Sequence, residues 1–399
     1  MFKSTKIALP FLFLLLAPLI TANLTLVNAQ STTNQSSMIR GVLAHAIASP
    51  EAQNLAKSNI TWVSCDVTFS HSDDAKWYQI YSLAKQNNLS VVGILDWHTM
   101  NYSQTFQLSD WGDAVNQAVN SFGDVVKTWE IWNEPNYAWN FFGYYNGAPS
   151  RYVALMQTAY SIIKTAQPAS VVIGLGGMPL FTGAEPTPND TYATQAYTWA
   201  QSVVQLGGLN YCDAIGIHAY PYGAYNIISQ FAFQYFFQSY QQLCLGKPIW
   251  ITEVGTESYS TNWTATESVQ ASFLDQSYTL LQNLGAKAYF WYELNDNYTE
   301  RANSNFGLYD NNGNPKQAFS TFANLASPSS LPTPNPSTNP TASSPAQSPA
   351  PTASATASTS HIPTLKPTIP ELSVVFVLST IIAISTCAFL YKKTFKRNF

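Results

Sequence analysis

Thr128-Trp129-Glu130-Ile131-Trp132, running directly into Asn133-Glu134-Pro135, is the stretch on which the fold turns. It is a short β-branched and aromatic run of strand character that ends on a carboxylate. Glu130 and Glu134 share strand parity, so on spacing alone either is a candidate for the working carboxylate. Downstream, residues 150–166 have helical period and are closed by Pro168. A strand ending in polar residues and followed by a helix is one unit of a parallel α/β fold.

Outward from this unit the alternation recurs eight times. Strands are expected at 41–46, 61–68, 90–96, 128–132, 171–175, 214–218, 248–253 and 288–292, with helices between them, for example 74–87 with Asp73 as its cap. Eight such units over residues 31–326 predict a closed (β/α)8 TIM barrel, an α/β fold of the usual size with no second domain. An open doubly wound sheet is the competitor. No G-x-G-x-x-G follows the first strand, and Gly174-Leu175-Gly176-Gly177 lacks the rest of that fingerprint.

Chemistry in such a barrel gathers where strands end. Those positions hold His45; Asp66; Asp96 and His98; Asn133 and Glu134; His218 and Tyr220; Glu253; and Trp291. Only 10% of the chain is charged, so this concentration is not explained by solvation. Glu134 and Glu253, ending the fourth and seventh strands, face each other across the mouth. Two opposed carboxyl groups are what glycosidic cleavage requires, one to protonate the leaving oxygen and one to attack the sugar carbon or activate water. Aromatic residues make up 14% of the chain, an excess suited to binding a planar face.

Between residues 31 and 326 there are 11 Lys and Arg against 21 Asp and Glu, with no basic run, which argues against nucleic acid as a partner. Four cysteines and no C-x-x-C spacing exclude a disulfide scaffold and cysteine-bound zinc. Cys212 and Cys244 are either a pair, in an oxidising compartment, or two small buried residues.

The ends read differently from the middle. Residues 1–29 have the form of a signal peptide, with Lys3 and Lys6 ahead of an apolar stretch and small residues at Val27-Asn28-Ala29; an uncleaved anchor is the alternative. Residues 327–371 form a Ser/Thr/Pro/Ala-rich linker, expected to be a disordered stalk suited to O-linked sugar. Residues 372–391 are uncharged and long enough for one transmembrane helix, and the basic tail 392–399 follows. That order predicts a single-pass protein of the cell membrane, its barrel extracellular and its C-terminus cytoplasmic. Asn-x-Ser/Thr triplets at Asn59, Asn88, Asn101, Asn189, Asn262 and Asn297 fit a glycoprotein at the cell surface.

Trp129-Glu130-Ile131-Trp132-Asn133-Glu134-Pro135-Asn136 resembles the Asn-Glu-Pro signature of clan A glycoside hydrolases. Ile217-His218-Ala219-Tyr220-Pro221 resembles the sixth-strand His-x-Tyr of that clan, Trp250-Ile251-Thr252-Glu253-Val254-Gly255 its seventh-strand nucleophile, and Tyr289-Phe290-Trp291 its eighth-strand tryptophan. Phe306-Gly307-Leu308-Tyr309 through Pro315-Lys316-Gln317-Ala318 is similar to the usual close of these barrels. The wording is nearest to families 5 and 39. The resemblance implies a retaining hydrolase of glycosidic bonds, acting on a polysaccharide or other glycan. In it Glu134 is the general acid and base, with a raised pKa, and Glu253 is an ionised nucleophile. Asn133 bonds the sugar 2-hydroxyl, His218 and Tyr220 orient the acid and the nucleophile, and Trp291 is the floor under the ring. His98 is either a substrate contact or a satisfied strand-end histidine. No metal and no organic cofactor are called for. Glu130 is read as a structural carboxylate, and Glu257 and Glu293 as cleft-lining. The clan usually has an arginine where Ser64 or Cys65 stands, which leaves His45 as a replacement donor. It also keeps open a catalytically silent glycan-binding surface protein; an envelope transglycosylase, which uses the same residues with sugar in place of water as acceptor, is the other rival.

Overall fold

The computed structural model describes residues 38–69, 74–100, 107–136, 147–179, 191–220, 230–259, 265–296 and 305–325. All of them belong to the first of two compact units, Met1–Thr333. The expected signal peptide, stalk, span and basic tail lie outside the described residues, as do Asp73 and four of the six glycosylation triplets. Among the described residues no helix is long and apolar enough to cross a membrane.

Eight parallel strands close into a barrel in chain order. They are β1 (Ile39–Leu43), β2 (Trp62–Asp66), β3 (Ser90–Leu95), β4 (Val126–Ile131), β5 (Val171–Pro179), β6 (Ala214–His218), β7 (Ile249–Val254) and β8 (Ala288–Trp291). Each is followed by a helix: α1 (Ser49–Lys57), α2 (Asp74–Asn87), α3 (Leu108–Phe122), α4 (Pro149–Ala166), α5 (Thr191–Gln205), α6 (Gln230–Leu243), α7 (Glu267–Leu284) and α8 (Gln317–Asn324). The expected strands are all present, and most differ in their bounds by one to three residues.

The largest difference is at β5, which runs four residues past its expected end. Leu175, Gly176 and Gly177 all have positive φ, so the strand buckles there and resumes pairing with β6 only at Met178 opposite Ile217. Two glycines in a strand pattern mark such a bulge.

The helices bury one stripe each. In α3, Trp111, Val115, Ala118, Val119 and Phe122 recur at helical spacing on the barrel side. Pro149 occupies the first turn of α4, where its missing N–H is harmless. Thr266 caps α7 by accepting from the Val269 amide at 3.2 Å, and Gly285 ends it in the left-handed region.

Inside the barrel the alternation of β residues separates two layers. At the end where strands begin, Val92, Ile173, Ala214, Trp250, Ala288 and Phe290 form a cluster drawn from strands alone. The rings of Trp250 and Phe290 stack at 6.3 Å and Trp62 meets Trp250 edge-on at 5.7 Å. Gly41 makes this possible, because a Cβ there would lie 2.3 Å from the Phe290 ring. The result is a dry floor. Cys212 and Cys244 are buried free thiols, and burial pushes both up to about 12.

The chain closes with a polar lock. Lys316 pairs with Asp296 at 2.7 Å, and the Asp296 carboxylate also accepts from the Gly307 amide. The buried Gln270 of α7 donates to the carbonyls of Thr256, Asn305, Phe306 and Gly307. This ties the end of β7 to the segment preceding α8.

Candidate active site

Above the apolar floor, the strand ends carry the charged groups. β4 delivers Glu134 through a strained turn: Trp132 has φ 70° and Glu134 φ 44°, a region that costs a non-glycine residue on the order of 1–3 kcal/mol. Two hydrogen bonds hold it. The Trp132 amide donates to the Leu95 carbonyl at 2.8 Å and the Glu134 amide to the Gly176 carbonyl at 2.6 Å. The β5 bulge therefore positions the fourth-strand carboxylate. A Cβ at Gly176 would lie 2.6 Å from the carbonyl oxygens of Ile131 and Trp132, so this close approach excludes any side chain.

His218, ending β6, stands between the two carboxylates. Its Nδ1 is 3.0 Å from Glu134 Oε1 and 3.5 Å from Glu253 Oε2. Gly177 makes room for the ring, since a Cβ there would lie 2.1 Å from His218 Nε2. Burial alone would push the imidazole down, but Glu253 and Glu134, with Glu130 below, outweigh it and leave it at about 9. The ring is therefore a cation at neutral pH, a donor at both nitrogens. Tyr220 donates its hydroxyl to Glu253 Oε2 at 2.5 Å. Burial and the neighbouring Glu253 push this phenol well up, so it keeps its proton. Glu253 itself is raised by burial and by Glu134, while His218 and Tyr220 pull the other way.

These donors answer the missing arginine of β2. Ser64 and Cys65 are buried and uncharged, His45 stands 3.7 Å from Glu293, and positive charge reaches Glu253 from His218. Asn133 lies half-buried immediately before Glu134. His98 sits at the mouth between two carboxylates, with Nδ1 3.1 Å from Asp96 Oδ1 and 4.0 Å from Asp66 Oδ2, and its ring leans on Trp97. Asp66, Asp96 and His98 bring three possible metal-ligand atoms within 4.8 Å of one another. Asp96 also accepts from the His98 backbone amide at 2.8 Å, so the group works as a clamp on the histidine.

Trp291 requires a correction. It is fully buried, packed on Phe273 of α7, with its indole N–H donating to the Phe306 carbonyl at 2.9 Å. Strand parity is the reason: Phe290 faces the lumen, so its neighbour Trp291 faces the helices. The residue that reaches the mouth is Tyr292, whose ring lies 5.8 Å from Tyr220 and 6.0 Å from His45. The sequence signal was present as the next aromatic residue, one position beyond the strand. Trp132, also fully buried against Trp97 and Trp111, belongs to the core.

Residues 55–322 match the model of the glycosyl hydrolase catalytic core. The chain belongs to that family. Its resemblance to clan A glycoside hydrolases thus holds in the family match and in the eight-stranded barrel. Among solved structures, a family 39 glycoside hydrolase from Bacteroides cellulosilyticus WH2 is similar at a TM-score of 0.51 and 20% identity, over 72% of this chain and 63% of that one. A glucosidase from Croceicoccus marinus is similar at 0.55 and 12%, over 74% and 68%. Xylanase 10B from Thermotoga maritima is similar at 0.50 and 15%, over 72% and 94%. At these identities the likeness is one of fold, and the chain spans less than two thirds of the length of the first of them. No curated protein matches the sequence. Membership of the catalytic core family is consistent with hydrolysis of glycosidic bonds.

Proposed function

We propose that the protein is a retaining glycosidase that cleaves β-linked bonds in an extracellular polysaccharide or glycan, with Glu134 as acid and base and Glu253 as nucleophile. The observation that carries the reading is His218. Because its Nδ1 reaches both carboxylates, at 3.0 and 3.5 Å, their facing oxygens stand no more than about 6.5 Å apart. Inverting enzymes need roughly 6.5–9.5 Å to seat a water between the carboxyl groups, whereas retaining ones use about 5–5.5 Å. A bound of about 6.5 Å between facing oxygens accommodates the closer, retaining separation.

In the first step Glu134 gives its proton to the leaving oxygen while a Glu253 oxygen bonds the anomeric carbon and the glycosidic bond breaks. In the second, Glu134 takes a proton from water, the water oxygen bonds the same carbon, and Glu253 leaves as carboxylate. Tyr220 and His218 hold Glu253 in place and favour its charge before attack. Asn133 contacts the sugar beside the reacting carbon, Tyr292 offers an aromatic face, and His98, fixed by Asp66 and Asp96, lines the neighbouring rim.

The ends of the chain complete the proposal. Residues 1–29 direct export, 327–371 form a stalk, 372–391 span the membrane and 392–399 remain in the cytoplasm, so the barrel works outside the cell on polymer that diffuses poorly. The test is reducing-sugar release by the full chain in detergent across β-linked glucans, mannans, xylans and acidic polysaccharides, with Glu134→Gln and Glu253→Gln alongside. Release lost in both variants supports the reading. Silence across the panel with binding retained replaces it with a glycan-binding barrel.

A further inference from the structure

Beneath the catalytic pair lies a third carboxyl group that the mechanism does not use. β4 points Glu130 into the lumen one layer below Glu134, in register with Ile94 of β3 and, through it, with Asp66 of β2. It is 2% exposed, and its Oε1 has no hydrogen-bond partner among the described residues. The groups that face it are Asp66 of β2, His218 of β6, and Thr252 and Glu253 of β7. The buried Thr252 hydroxyl faces the Glu130 carboxyl as a donor. The lumen is shaped for this side chain: a Cβ at Gly216 of β6 would lie 2.3 Å from Glu130 Oε1.

Charge counting then decides its state. Among the described residues, the two buried cations other than His218 are engaged elsewhere, Arg40 with the Phe322 carbonyl and Lys316 with Asp296. The His218 Nδ1 already lies between Glu134 and Glu253, so an ionised Glu130 would compete with Glu253 for the one imidazolium. With one oxygen unpartnered, Glu253 and Asp66 nearby and the Thr252 hydroxyl as a donor, a carboxyl buried this deeply takes up a proton.

We propose that Glu130 is a positioning residue that acts in its protonated, uncharged form, supporting His218 from below while withholding a third negative charge, so that the imidazolium serves Glu134 and Glu253 alone. The proposal rests on the assignment of those two residues as the catalytic pair. Burial, chiefly, pushes the Glu130 carboxyl up to about 8, against the opposing pull of His218. Once it ionises, it competes for the imidazolium, and the catalytic pair loses part of its counter-charge.

Two readouts on the full chain test this. Infrared difference spectra of wild type and Glu130→Gln, recorded below neutral pH without substrate, show a protonated-carboxyl band that the substitution removes and that titrates near about 8 in the wild type. In hydrolysis, Glu130→Ala lets His218 shift and lowers kcat by on the order of 10²-fold. Glu130→Gln restores the rate and removes the ionisation at about 8 from the alkaline limb. Absence of the band overturns the proposal even where hydrolysis is intact. A rate in Glu130→Gln as low as in Glu130→Ala overturns it too. A band in a protein that cleaves no glycan overturns the glycosidase reading, and the positioning role with it.

Discussion

The two halves of the barrel lumen are built by the same eight strands and have opposite chemistry. The lower half is a plug of Trp62, Trp250 and Phe290, with Gly41 left bare to admit a ring. The upper half holds Glu130, His218, Glu134 and Glu253 around one cation, with Gly177 and Gly216 left bare to admit an imidazole and a carboxyl. Glycine plays one role in both, as room for a neighbour's side chain. The lower half gains stability from dry packing, whereas the upper half gives it up to hold charges where water is excluded. Substitutions in the two halves should therefore separate cleanly into losses of stability and losses of activity.

The sharpest contrast comes from Glu134, the proposed acid. Glu134→Gln is expected to lower kcat by about 10²–10⁴-fold with the melting temperature unchanged or raised, a pair of results read by hydrolysis assay and calorimetry. Phe290→Ala should do the reverse, costing roughly 3–5 kcal/mol of stability in denaturant titration while any folded fraction keeps its kcat. Gly216→Ala probes the boundary between the halves. Its Cβ meets the Glu130 carboxyl, and overpacking of this kind costs typically about 1–3 kcal/mol. Here both readouts should move, and a change in stability alone would show that the two halves are not coupled through Glu130.

The smallest effect is the pH dependence of stability. His218 binds its proton more tightly when folded, about 9 against an ordinary 6.5, so its contribution is complete below about 6.5 and is lost as pH rises through about 9. Glu130, raised from 4.5 to about 8, also holds a proton longer in the folded state, so stability falls as pH rises between those values. Both slopes have the same sign. The melting temperature should decline steadily from mildly acidic to alkaline pH, and Glu130→Gln should flatten its lower portion. A melting temperature that rises over that range would reverse both assignments of charge.

Strand period carried most of the fold in the sequence. Ala214–His218 was read to the residue, because β-branched positions and a polar terminus bound it on both sides. The pair Glu134 and Glu253 and their partners His218 and Tyr220 were legible because strand ends are where a barrel presents side chains. Legibility failed where backbone irregularity or parity decided the outcome. The β5 bulge depends on positive φ at Leu175 as well as at two glycines, and nothing in the sequence tied it to Glu134. Residue type points Trp291 toward the sugar, whereas strand parity, with Phe290 in the lumen, turns it to the helices. The charge on His218 arises from groups on different strands, Glu134 among them 84 residues away, which spacing along the chain does not show.

The claim that unites these observations is that Glu253 attacks sugar carbon under the charge of His218. It is tested most directly by incubating Glu134→Gln with activated aryl β-glycosides, which need no acid to leave, and weighing the peptide that contains Glu253. A glycosyl adduct is expected on that peptide and is expected to be absent from Glu134→Gln/Glu253→Gln. Turnover of those glycosides with no adduct, and a product of inverted configuration, would contradict it.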